Sequence, residues 1–269
     1  MAQEKKSGGL PYFNLIVVVV SLVVGWLLYS FVLGAGSNFV GGSNDNQPLN
    51  GSILATMYKG GFIVPILIAV LLIVLTFAIE RLLTIMSAKG KGSVEAFVRK
   101  VRELLSNGDI DTAIAECDKQ RGSIANVVRS GLVKFEQVEK EGSLDKEAKI
   151  AAIQKSLEEA TALELPMLSK NLVIISTCAS IATLVGLLGT VSGMIKAFAA
   201  MAQAGAPDAN KLATGISEAL VNTFLGILAA TLGIIFYNLF NSIIDSITFG
   251  MDEAGFSIVQ TYSSTHKEK

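Results

Sequence analysis

The sequence predicts an all-α membrane protein with four transmembrane helices and a helical domain between the second and third. Three observations carry that expectation. Hydrophobic residues make up 51% of the 269 positions and charged residues only 17%, against roughly 25% charged in soluble domains. Four apolar runs, Phe13–Leu33, Phe62–Met86, Leu172–Ala200 and Leu212–Ile244, reach the ~20 residues that a spanning helix needs. The stretch 87–171 between them carries both charge signs at helical spacing.

Segment 1–61 holds the first run and a loop. Lys5 and Lys6 precede the run, and Gly34-Ala35-Gly36 follows it, as in a cleavable signal. A signal core is only about 7–15 residues long, so a retained helix is expected. Gly34–Gly61 is rich in Gly, Ser, Asn and Asp, with Lys59 its only base, and reads as an extramembrane loop.

Segment 62–86 is the second span. It ends in Glu80-Arg81 and is followed by Lys89, Lys91, Arg99, Lys100 and Arg102. Bases gathered at one end of a span place that end in the cytoplasm. Both termini are then cytoplasmic, while Gly34–Gly61 and Met201–Lys211 lie outside, periplasmic in a diderm cell.

Segment 87–171 reads as a cytoplasmic helical domain. Ser93 can cap a helix with Val94, Phe97, Val98, Val101, Leu104 and Leu105 on one face. Asn107-Gly108 breaks it and Asp109 opens a second through Cys117. A third runs from Ser123 to Lys140 and stops at Gly142-Ser143. From Leu144 a long pattern leads toward the membrane, with Pro166 expected to kink or end it. No phosphate loop, His/Cys cluster or nucleophile motif appears, so no enzyme and no metal or organic cofactor is expected. Cys117 and Cys178 show no disulfide or metal spacing, His266 lies in a polar tail, and a net charge of −1 argues against a nucleic-acid partner.

Segment 172–244 is a hairpin with two stripes of small and hydroxylated residues. On the first helix Ala179, Ala182, Thr183, Gly186, Thr190, Gly193 and Ala197 share a face. On the second Gly215, Glu218, Ala219, Asn222, Thr223, Gly226, Ala230 and Gly233 do. Leu184, Leu188, Ile216, Leu220 and Phe224 fall on the opposite, lipid-compatible sides. Glu218 is the one acidic residue inside the two apolar runs of the hairpin, and a carboxylate at membrane depth marks a candidate functional site. Thr190 and Thr223 are equidistant from the hairpin centre near Ala206–Pro207, hence at similar depth on regular helices. Asn222, one turn from Glu218, is its expected hydrogen-bond partner, and Lys196 is expected to snorkel toward the outer surface. Segment 245–269 continues as a cytoplasmic helix to about Tyr262, then a polar tail.

The run Ala182-Thr-Leu-Val-Gly-Leu-Leu-Gly-Thr-Val-Ser-Gly-Met-Ile-Lys-Ala-Phe198 resembles the signature of the MotA/TolQ/ExbB proton-channel family. Gly215-Ile-Ser-Glu-Ala-Leu-Val-Asn-Thr-Phe-Leu-Gly226, with Tyr237-Asn238 beyond it, is similar to the family's last helix. The likeness runs from about Phe62 to the C-terminus and is nearer to ExbB and TolQ than to the flagellar stator. It implies a three-helix core, with Phe13–Leu33 an additional helix. It also implies a homopentamer around a pore lined by the last two helices, with a single-span ExbD/TolR-like partner inside and a TonB/TolA-like protein further out. By motif position Glu218, Thr223 and Thr190, with Asn222 beside them, are the implied ion-pathway residues. Ala182, Gly186, Gly193, Gly215, Ala219 and Gly226 are the implied packing or partner-contacting ones. Thr183 and Thr214 depart from the proline common in the family.

The function so implied is an inner-membrane motor subunit coupling the proton motive force to envelope work, such as TonB-dependent outer-membrane transport. Two alternatives stay open at this point. One is a non-conducting scaffold, in which a protonated Glu218 merely holds helices together. The other is a sodium-driven, Tol-type or motility motor of the same family, since carboxylate and hydroxyls serve either ion.

Overall fold

The computed structural model describes residues 12–141, 145–202 and 208–265. The sequence features at Lys5 and Lys6, Gly142-Ser143, Leu144, Ala206–Pro207 and His266 lie outside them. Among the described residues the fold is all helical apart from one isolated β-bridge, Phe39 to Pro48. Four helices are long and apolar enough to cross a membrane, matching the four runs read from the sequence.

Helix α1 (Tyr12–Leu27) passes into a π-turn over Leu28–Leu33 that completes a predominantly apolar span of 22 residues. It stops at Gly34, whose N–H donates back to the Tyr29 carbonyl at 2.9 Å. Asn38 satisfies two more end carbonyls, those of Val32 and Leu33 at 2.8 and 3.1 Å. The expected loop follows with two 3-10 turns, Gly36–Asn38 and Val40–Gly42, and a short helix, α2 (Ile53–Tyr58), capped by the Ser52 hydroxyl. Gly61, at φ +76°, turns the chain into α3 (Ile63–Ala88). Pro65 sits in the first turn of α3, where its missing N–H costs no helical bond.

The charged segment forms α4 (Val94–Ser106), α5 (Ile110–Gln120), α6 (Gly122–Lys140) and α7 (Lys146–Ser169). Ser93 and Asp109 cap α4 and α5 as their positions predict, and Asp145 caps α7. Pro166 neither ends α7 at once nor stops it from forming a further turn, which closes at Ser169. Helix α8 (Leu172–Met201) and α9 (Ala209–Thr265) make the hairpin. Asp208 opens α9, accepting from the Asn210 and Lys211 N–H groups at 3.1 Å each. The Lys211 amide is the main reason its carboxyl sits below the ordinary range. At 57 residues α9 is about 86 Å long at 1.5 Å per residue, far beyond a bilayer core. The helical tail expected after Ile244 is therefore the unbroken end of α9.

Two compact units divide the chain. The first comprises residues up to Ile79 together with Val173–Tyr237. Its core holds Leu33, Val64, Leu67 and Leu225 in one cluster and Val70, Ala182, Ala229 and Ala230 in another. The additional helix α1 packs closely here: a Cβ on Gly25 would stand 2.7 Å from the Pro65 carbonyl and 3.1 Å from the Ala69 amide. The second unit comprises Glu80–Leu172 and the residues from Asn238 on. Phe97, Val101, Leu132, Phe135, Ile153, Met251, Ile258 and Tyr262 are buried in it, with Phe135 edge-on to Tyr262 at 4.7 Å between ring centroids.

Candidate functional site

The two small-residue stripes face each other inside the hairpin. A Cβ on Gly226 would lie 2.7 Å from the Ala182 carbonyl and 2.9 Å from Gly186 Cα. One on Gly193 would lie 2.6 Å from the Ala219 amide, and one on Gly215 2.7 Å from the Ala197 amide. Backbone therefore rests on backbone at Ala182, Gly186, Gly193, Gly215, Ala219 and Gly226, an approach open only to the smallest side chains. Leu184, Leu187, Leu188 and Val191 of α8 and Leu220, Phe224 and Ile227 of α9 are exposed, as a lipid-facing surface would be.

That close approach brings Thr190 and Thr223 together, their hydroxyls hydrogen-bonded to each other. Thr190 also reaches the Gly186 carbonyl at 3.2 Å. A hydroxyl has one proton, so if Thr190 donates to Gly186, Thr223 donates to Thr190. The pair is half-buried and joins the two helices at one depth.

Glu218 lies toward the hairpin's turn from that pair and is 6% exposed. Lys196 of α8 donates to its Oε1 at 2.6 Å. Lys196, expected to snorkel toward the outer surface, also forms an ion pair with Glu218 across α8 and α9, its side chain remaining more exposed than buried. Beside the carboxylate passes the α2–α3 corner, where a Cβ on Gly61 would stand 2.9 Å from Oε1. Asn222 does not take up Glu218 as its partner. It is completely buried and donates through Nδ2 to the Gly60 carbonyl at 2.9 Å, while its Oδ1 has no protein partner among the described residues. Corner and carboxylate are thus held together by the one-turn spacing of Asn222 and Glu218.

Two features escaped the sequence reading. Lys196 and Glu218 are nearly equidistant from residues 206–207, so the residue count that aligns the threonines would also have found their pair. The second is Arg81, 2% exposed, which binds both carboxylate oxygens of its neighbour Glu80. It also donates to the Met167 and Leu168 carbonyls at 3.2 and 3.4 Å, serving the open C-terminal end of α7. Asn171, in the left-handed region at φ +64°, donates to the same carboxylate at 3.4 Å. Adjacent opposite charges on an apolar helix give no hint of partners some 90 positions away.

The model of the MotA/TolQ/ExbB proton channel family matches residues 120–253, which take in α6, α7, α8 and most of α9. Among curated proteins, the biopolymer transport protein ExbB of Salmonella typhimurium is 31% identical over 154 residues, 55% of this chain and 63% of that protein. The Tol-Pal system protein TolQ of Pseudomonas aeruginosa is 28% identical over 141 residues, 52% of this chain and 57% of TolQ. The ExbB of Helicobacter pylori is 42% identical over 84 residues, 31% of this chain and 57% of that protein. The chain thus spans roughly half to under two thirds of the length of these relatives.

Proposed function

Because the chain belongs to the MotA/TolQ/ExbB proton channel family and is close to ExbB and TolQ, we propose that it is an ion-conducting subunit of a motor in a bacterial inner membrane. In this reading five copies surround a pore lined by α8 and α9. A single-span partner of the ExbD/TolR type stands inside, and the output is mechanical work on the envelope, such as TonB-dependent transport. Protons are the coupling ion proposed here, and sodium would meet the same oxygen ligands.

The observation that carries the reading is the carboxylate. Glu218 is held in a hairpin of small residues, with the joined hydroxyls of Thr190 and Thr223 further along the same stripes. A charge kept at membrane depth is costly, which supports reading this carboxylate as part of an ion path. Each charge that crosses 100 mV releases about 2.3 kcal/mol, enough to bias a rearrangement of packed helices.

One observation favours the scaffold alternative: the small-residue stripes are already engaged in packing α8 on α9. Glu218→Gln separates the two readings, since it keeps shape and removes charge. A motor subunit so altered assembles normally with its partner and loses most ion-dependent output; a scaffold keeps full output. Output and assembly are to be measured on one preparation, and full output from an assembled Gln variant would refute the ion-pathway reading.

A further inference from the structure

The Lys196–Glu218 pair is lopsided. The carboxylate side chain is 8% exposed, whereas the lysine side chain is 57% exposed, with its Nζ 2.6 Å from Oε1. On one flank Glu218 is closed by the α2–α3 corner, where Gly61 lies against the carboxylate and Asn222 holds the Gly60 carbonyl at 2.9 Å. On another flank α8 and α9 meet backbone to backbone at Gly193 and Ala219. The lysine is the exposed member of the pair, and its ammonium sits at the end of a flexible four-carbon stem.

We propose that Lys196 is a tethered cation that occupies the ion site at Glu218 and must swing away before a mobile cation can bind there. The proposal rests on the reading of Glu218 as an ion-pathway carboxylate and adds its regulation. A proton or sodium ion arriving at Glu218 meets a carboxylate already neutralised by a covalently attached rival. That rival strongly suppresses binding while it stays and leaves by rotation about its own stem. A closed resting state is thereby built into the chain, and anything that draws the ammonium away from the carboxylate opens the site.

The test uses the full-length chain reconstituted in liposomes, with cation flux followed under an imposed potential. Removing the ammonium in Lys196→Met should raise flux at least tenfold over wild type. Lys196→Arg, which keeps a permanent charge, should stay at the wild-type level. The double variant Lys196→Met/Glu218→Gln should fall back, because the site itself is gone. An equal flux in Lys196→Met and wild type overturns the proposal, as does a double variant as leaky as the single.

Lys196→Cys, with Cys117 and Cys178 replaced, covers the case in which Met disturbs assembly. Attaching an ethylammonium group through a thiosulfonate reagent should close the leak, and attaching a neutral methyl group should not. Closure by both reagents, or by neither, counts against the tethered cation. The two levels fail separately: full output in Glu218→Gln sinks the ion-path reading. Lost output there with unchanged flux in Lys196→Met sinks only the gate.

Discussion

At the scale of single residues, Asn222 shows how one amide fixes the surroundings of a charge. Its Nδ2 ties α9 to the carbonyl of Gly60, 162 positions away in the chain, and its side chain fills the space that Gly189 leaves open. Replacing it with Ala leaves a buried carbonyl without its donor, a loss of about 1–3 kcal/mol. Asn222→Ala should therefore lower the denaturation midpoint more than Thr223→Ala, which removes one half-buried hydroxyl bond. Equal midpoints in the two variants would show that the corner is held by something else. The sequence made Glu218, Asn222, Thr190 and Thr223 legible as polar groups on small-residue stripes, because periodicity reports which face a residue occupies. It did not reveal that Asn222 turns to Gly60 or that Lys196 turns to Glu218. Those partners depend on how near two elements pass, which periodicity along either one does not encode.

Elements are specified mostly by local signals, and here those signals agree with one another. Ser93, Asp109 and Asp145 each accept an N–H three residues on, so three helix starts follow from short polar side chains alone. Helix α7 ends at Ser169, three residues past Pro166, and Arg81 serves its last carbonyls, a partner no local signal announces. The additional helix α1 lies outside the stretch that matches the family, yet it is fitted to α3 through Gly25 and stacks Tyr29 on Tyr58 at 4.7 Å between ring centroids. The hairpin depends on the same device. A Cβ on Gly186 would stand 3.1 Å from both Gly226 Cα and the Asn222 carbonyl, whereas Leu188 is exposed. Gly186→Leu should force α8 and α9 apart and abolish assembly, while Leu188→Phe leaves it nearly unchanged. Both can be read as the yield and mass of purified complex, and equal tolerance at the two positions would contradict the stripe-on-stripe packing.

For the whole molecule the open question is which parts face which side of the membrane. Four apolar helices return the chain to its starting side, and the bases after Met86 favour that side being the cytoplasm. Cysteine labelling with an impermeant reagent decides it, provided the cysteines are placed where reagent can reach. Ser123 is 5% exposed and would resist labelling from either side, so Ser106, exposed at the end of α4, is the better position. In the loop before α2, Gln47 is exposed. The native thiols give little background once Cys178 is replaced. Cys117 is 2% exposed and burial pushes its pKa up to about 12, so almost none of the reactive thiolate is present near neutrality. In intact cells whose outer membrane admits the reagent, Gln47→Cys should label at once. Ser106→Cys should label only after the inner membrane is opened. The reverse order would invert the chain and place Glu218 near the cytoplasmic mouth. Labelling of both positions before opening would mean that an even number of spans separates them instead of the single span α3, and the four-span arrangement would fall.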